Sequence, residues 1–423
     1  MDTEMTNGTE NTMVPRICLN DILGPRFEPH RARLVRLLGT RDVLRLSQTC
    51  REVQQAFRSR EWNINSRLAR FFDDPRAFRA EIGHCNALIT GSFVLEFFAR
   101  TVSPGDHLKI LVQKGQDADR LEACFLSVGY QLTNVNSSFE TQERTLIKHG
   151  TNGAVTILYL YMSGTKIPLD PVLNSPTSDN VNFISWNKAI SVYAKLTFVK
   201  HDSVLLAPRD MVSEGHLDWL GRHGWRMQTR ISAVRKDLAD FTQQRSDTVA
   251  VGHRRVGDIL CWTMPLDTTS VVRPSVPAFV LESSRLAITP PPAIRPNELY
   301  GSWSAFNEGE HFTIHTKTLS SHVLRYKYTF GYTDRDDGKY FTPWEEVQGH
   351  CNISLLGQLW KLGANERKRL TDGKTPAEVL SHLNVHELDK PEGWDYFDDE
   401  LTDLIERLWR QMIGRNRYPT VPM

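Results

Sequence analysis

The stretch ITGSFVLEFFARTVSPGDHLKILV, residues 89–112, carries groups suited to holding a phosphate. Gly91 lets an apolar strand end turn tightly and lets the backbone come close to an anion. Ser92 then opens a helix, whose first N–H groups have no partner within the helix and favour negative charge. Further on, His107 and Lys109 alternate along the run HLKILVQ. Side chains two apart on a strand share a face, so the imidazole and the ammonium project together, whereas Asp106 projects to the other side. Gly91, Ser92, His107 and Lys109 are therefore the candidate phosphate-binding residues. No catalytic residue, metal ligand or cofactor is assigned.

Other arrangements that could do chemistry fail on spacing. DRDDG, residues 334–338, has the acids of a calcium loop but the wrong register for its glycine, and reads as a hairpin turn. His311 and His315 lie four apart in what reads as a strand, without the helical geometry that pairs two ligands. His216 and His223 stand among tryptophans and read as ordinary hydrogen-bonded histidines. The six cysteines, Cys18, Cys50, Cys85, Cys124, Cys261 and Cys351, are scattered with no C-x-x-C pair. They read as reduced, buried thiols of a cytoplasmic or nuclear protein. There is no P-loop, dinucleotide fingerprint or G-x-S-x-G elbow.

Elements must position the candidate residues. Val94, Leu95, Phe97 and Phe98 give the helix after Gly91 its apolar side. Leu108, Ile110 and Val112 alternate as a strand, ADRLEACFLSVGYQL reads as an amphipathic helix, and GAVTILYLYM reads as a buried strand. Helices and strands interleave, which favours an α/β core. Downstream, VGDILCWTMPLD and VPAFVLESS read as strands, and TPPPAIRP, residues 289–296, as an extended linker. DDELTDLIERLWRQMIGR is an amphipathic helix with Gly414 as its stop.

The N-terminal region is leucine- and arginine-rich. Ile17, Leu19, Ile22 and Leu23 precede Gly24-Pro25; Leu34, Leu37 and Leu38 mark a second short helix; Val43, Leu46, Cys50, Val53 and Phe57 fall on one face of a third. Residues 16–58, best in LLGTRDVLRLSQTCREV, resemble an F-box, although Leu19-Asn20 replaces the usual Leu-Pro. The resemblance implies docking, through Ile17, Leu19, Ile22, Leu23, Leu34, Leu37, Leu38, Val43 and Leu46, to the adaptor subunit of a cullin-RING ubiquitin ligase.

Residues 80–205 resemble the nucleotidyltransferase fold, and more closely a group of fungal proteins with a degenerate form of it. The run NSPTSDNVNFISWNKAISVYAKLTF, residues 174–198, is similar to a stretch of that group that leads into a strand ending in Leu-Thr-Phe. Enzymes of this fold carry Asp-x-Asp on the strand after the Gly-Ser helix, with a third carboxylate on a later strand, and these bind two Mg²⁺. His107 and Lys109 match the first two positions, and GAVTILYLYM offers no acid for the third. A lysine ammonium at roughly 4 Å repels a divalent cation by about 8 kcal/mol at an effective dielectric of about 20.

With 423 residues, 40% hydrophobic and 24% charged, the chain has the composition of a soluble multidomain protein. A net charge of +1 gives no whole-molecule attraction to nucleic acid, and no apolar run reaches the roughly 20 residues that cross a bilayer. The expected class is α+β. It comprises a disordered leader (1–15), a short helical F-box-like module (16–79), a degenerate nucleotidyltransferase-like domain with a mixed sheet (80–288), the Pro-rich linker (289–296) and an α+β region ending in an amphipathic helix (297–423). The expected function is a non-catalytic adaptor that recruits an unspecified protein target to a ubiquitin ligase. The alternatives are a nucleotidyl- or phosphotransferase with an altered active site, and a regulatory nucleotide-binding or scaffold protein.

Overall fold

A computed structural model describes residues 21–22, 27–101, 107–138, 141–150, 154–164, 167–228, 252–289, 311–331, 343–371, 373–375 and 390–415. The leader, Ile17, Leu19, Leu23, Asp106, residues 290–296 of the Pro-rich stretch and the DRDDG turn lie outside the described residues. The chain divides into two compact units, Met1–Asn63 with Phe98–Arg100, and Ile64–Phe97 with Thr101–Met423.

The first unit contains α1 (Glu28–Leu37), α2 (Thr40–Ser47) and α3 (Arg51–Arg60). The single helix expected across Val43 to Phe57 is broken between α2 and α3. The hydroxyls of Ser47 and Thr49 each donate at 2.7 Å to the carbonyls of Leu44 and Leu46. Such local bonds compete with helix propagation. Cys50 is then extended, at φ −157° and ψ 163°, and starts α3. The apolar stripe survives the break, because Val43, Val53 and Phe57 are all buried.

The second unit starts with α4 (Ile64–Leu68), α5 (Pro75–His84), β1 (Leu88–Thr90) and α6 (Ser92–Ala99). There follow β2 (His107–Gln113), α7 (Gln116–Ser127), β3 (Gln131–Ser137), β4 (Thr141–His149), β5 (Val155–Ser163) and α8 (Leu169–Leu173). Next come β6 (Asn182–Ile184), β7 (Lys188–Ser191), β8 (Asp202–Val204), α9 (Glu214–Arg222) and β9 (Arg226–Gln228). The unit is completed by β10 (Gly252–Arg255), β11 (Trp262–Pro265), α10 (Ala278–Glu282), β12 (Arg285–Thr289), β13 (Thr313–Leu319), β14 (Tyr328–Gly331), α11 (Pro343–Lys361), α12 (Ala364–Leu370) and α13 (Asp398–Arg415).

Eight strands form one sheet in the order β11-β7-β6-β1-β2-β5-β4-β3. Only β2 and β5 run parallel within it, so the sheet is mixed and the fold is α+β. Alternation sorts its two faces. Leu108, Ile110 and Val112 of β2, Leu158, Leu160 and Met162 of β5, and Leu146 of β4 are at most 1% exposed. Helix α7, which buries Ala118, Leu121 and Phe125, packs on β2 and β3. His107, Lys109, Glu143, Tyr159 and Tyr161 lie on the other face and are half-buried.

A second, antiparallel sheet has the order β10-β12-β13-β14. Helices α11 and α13 bury Val347, Cys351, Leu355 and Leu359, and Leu401, Leu404, Ile405 and Leu408, in a shared core with Tyr328 and Phe330. Helix α13 runs through Gly414 to Arg415 instead of stopping at the glycine.

Three strand assignments change. VPAFVLESS contains α10, with Val280 N donating to Pro277 O at 3.2 Å and Ser283 N to Phe279 O at 2.7 Å. A short apolar run has no period long enough to separate helix from strand. In VGDILCWTMPLD only Trp262–Pro265 is a strand, because Asp258 Oδ1 accepts from Leu260 N and Cys261 N at 3.0 and 3.1 Å and turns the chain. The stretch ending in Leu-Thr-Phe is a wide helical turn, with Lys200 N donating to Lys195 O at 3.1 Å.

Among the described residues no helix is long and apolar enough to cross a membrane. Cys85, Cys261 and Cys351 are buried, and burial pushes each thiol up to about 12.

Candidate active site

The four candidate residues meet at one edge of the β1–β2 pair. Thr90 is opposite Lys109 in antiparallel register, so the turn that follows β1 comes alongside the start of β2. Gly91 makes that turn at φ +82°, a left-handed conformation that favours glycine. Its carbonyl accepts from Val94 N at 3.1 Å and Leu95 N at 3.2 Å, which starts α6. Ser92 Oγ, the first side chain of α6, lies 2.8 Å from His107 Nε2. A hydroxyl thus sits within proton-transfer reach of an imidazole, at the end of a helix that favours anions.

Lys109 leans away from this pair. Its Nζ lies 5.1 Å from the centroid of the Tyr161 ring. That is a cation–π distance. Tyr159, which pairs with Lys109 across the parallel β2–β5 ladder, meets the His107 ring edge-on at 6.3 Å. Tyr161 in turn pairs with Glu143 of β4. Burial pushes the Lys109 ammonium below the ordinary lysine range, and the negative charge of Glu143 opposes that shift.

Glu143, Tyr159 and Tyr161 complete the site and were not identified from the sequence. The resemblance places a third acid on the strand GAVTILYLYM, whereas Glu143 stands on β4, one strand further out. The alternation of Tyr159 and Tyr161 with buried Leu158, Leu160 and Met162 was the available signal.

The residues present do not fit two magnesium ions. Magnesium takes hard oxygen ligands in a close octahedron. Where the resemblance expects Asp-x-Asp, the chain has an imidazole engaged with Ser92 and a cation lying over a tyrosine ring. Among the described residues no group of three or more His, Cys, Asp or Glu side chains is placed to hold a metal ion. Three of the histidines set aside on spacing have protein partners: His216 Nε2 lies 3.0 Å from Asp179 Oδ2, His223 Nδ1 lies 2.8 Å from Trp219 O, and His315 Nε2 lies 3.0 Å from Thr289 Oγ1.

The described members of the expected docking set differ in exposure. In the first unit Val43 is buried, Leu37 is 80% exposed, and Ile22, Leu34, Leu38 and Leu46 are half-buried. Val35, not foreseen as a core residue, is buried instead.

No protein-family model matches the chain, and no curated protein matches it. Three solved structures that it is similar to are of CCA-adding enzyme. Against the complex with CTP the TM-score is 0.28, with 12% identity over 40% of this chain and 43% of that one. Against apo form I the TM-score is 0.27, with 12% identity over 43% of this chain and 47% of that one. Against the complex with ATP the TM-score is 0.27, with 11% identity over 44% of this chain and 49% of that one. The chain thus spans less than half the length of the structures it matches. The expectation of a non-catalytic F-box-like adaptor is corrected at this point: the three solved structures reported above are of CCA-adding enzyme.

Proposed function

We propose that the chain is a nucleotidyl- or phosphotransferase with an altered active site, built on Ser92, His107 and Lys109. The observation that carries this reading is the 2.8 Å contact between Ser92 Oγ and His107 Nε2 at the start of α6. A hydroxyl oxygen fits there within reach of a base, beside the helix end that receives phosphate oxygens. In this reading His107 takes the proton of the attacking hydroxyl. The Lys109 ammonium swings from Tyr161 toward the transferred phosphoryl group and offsets the charge that builds on its oxygens. Gly91 lets the backbone approach closely.

The test is a transfer assay on the full chain. Each nucleoside triphosphate is supplied with a hydroxyl acceptor, and release of pyrophosphate or phosphate is followed by ³¹P NMR. Turnover is expected to fall about 100-fold or more in Lys109→Met, the scale of losing one charge-stabilising donor. It is expected to fall similarly in His107→Gln, while both variants keep the wild-type melting temperature within a few degrees. Tight binding of a triphosphate with no release of either product would sink the transferase reading and leave a regulatory nucleotide-binding protein.

A further inference from the structure

We infer that Glu143 is the acid of this site and acts through Lys109, the pair forming a polyphosphate-binding site that works without a metal ion. The inference rests on the reading of Ser92, His107 and Lys109 as a phosphate site, and deepens it. Its basis is the register of three adjacent strands. Lys109 leans from its own row, opposite Tyr159, to the next row, where its Nζ lies over the Tyr161 ring. Glu143 is the residue directly opposite Tyr161 on β4. Lysine, tyrosine ring and carboxylate therefore run in sequence across one sheet face. The opposite face of these strands is filled by Leu108, Ile110, Leu158, Leu160 and Leu146.

Among the described residues, few ionisable groups stand in register around Lys109. Its own strand contributes His107, β5 contributes the neutral Tyr159 and Tyr161, and β1 contributes the uncharged Thr90. Beside them Glu143 is the one charge whose effect on Lys109 is resolved, and it favours the protonated amine against the cost of burial. An enzyme with two carboxylates at this place needs metal ions to bring positive charge to a polyphosphate. A protonated lysine brings that charge itself. Glu143 favours the protonated lysine from β4, two strands away from β2. It is a positioning residue, because it acts on the ligand through Lys109.

The probe is inorganic tripolyphosphate, titrated calorimetrically into the full chain in EDTA from pH 6 to pH 10. Wild-type protein is expected to bind it in EDTA and to lose affinity as the pH rises and Lys109 deprotonates. Glu143→Gln is expected to bind at least as tightly at pH 6, because a negative charge has gone, and to lose affinity at a distinctly lower pH than wild type. Glu143→Asp should recover most of the wild-type profile. A purely structural role for Glu143 would lower affinity at every pH without moving the midpoint, and that result overturns the inference. Binding that needs Mg²⁺ overturns it too. The two readings fail separately: an unmoved midpoint with binding lost in Lys109→Met removes Glu143 alone. Unaltered binding in Lys109→Met removes the phosphate site itself and the inference with it. Melting curves of each variant confirm that the fold is retained.

Discussion

Lys109 is the residue on which the proposed chemistry of the site turns. Its ammonium is mostly withdrawn from water on a sheet face, and burial holds its proton affinity below that of an unfolded lysine. The unfolded chain therefore binds more protons between the folded value and the ordinary value near 10.5, and stability rises with pH across that window. Below it, the folded protein carries the full cost of a buried charge. Lys109→Met is accordingly expected to be at least as stable as wild type at pH 7. That gain should shrink as the pH approaches the ordinary lysine range. Thermal unfolding of both proteins from pH 6 to pH 10 checks this, and a variant destabilised equally at every pH would show that the lysine contributes packing alone. The positions of His107 and Lys109 on one strand face were legible from their spacing. The contribution of Glu143 was not, because it depends on which strand lies two places away in the sheet.

At the scale of elements, the strand–turn–helix–strand run from Leu88 to Gln113 was readable because its local signals agree. An apolar strand ends at a glycine in a left-handed conformation, and alternating Leu108, Ile110 and Val112 follow. Short apolar runs elsewhere were ambiguous, and VPAFVLESS became a helix. One element junction offers a sharp test. A Cβ added at Gly331, the last residue of β14, would lie 2.6 Å from Ala287 N on β12. No real side chain tolerates such a contact with backbone. Gly331→Ala must therefore spread β14 from β12, and hydrogen exchange should show lost protection across β12 and β14. Unchanged protection in a variant with wild-type melting would mean that the two strands are not packed this closely.

At the scale of the whole molecule, long-range polar ties hold the second unit together. Asp170 on α8 is 3% exposed. It accepts from Thr318 Oγ1 of β13 at 2.6 Å and from Thr329 Oγ1 of β14 at 2.8 Å. Residues some 150 positions apart in the chain thus share one carboxylate. Asp170→Ala strands two hydroxyls, each at a cost of about 1–3 kcal/mol. The melting temperature of the full chain should fall by several degrees, and Asp170→Asn, which can still accept one bond, should fall less. Equal melting of all three proteins would count against the tie.

The sequence alone determined the class of the fold and the frame of the site. It located the glycine turn, the helix that follows it, and the shared face of His107 and Lys109. These follow from periodicity of two or 3.6 residues and from the backbone freedom of glycine, which are local properties. The tertiary structure decided what the site contains. It brought Ser92 to His107, laid Lys109 over Tyr161 and put Glu143 beside them. Sheet order and register are set by packing between residues far apart in the chain, and no local pattern encodes them.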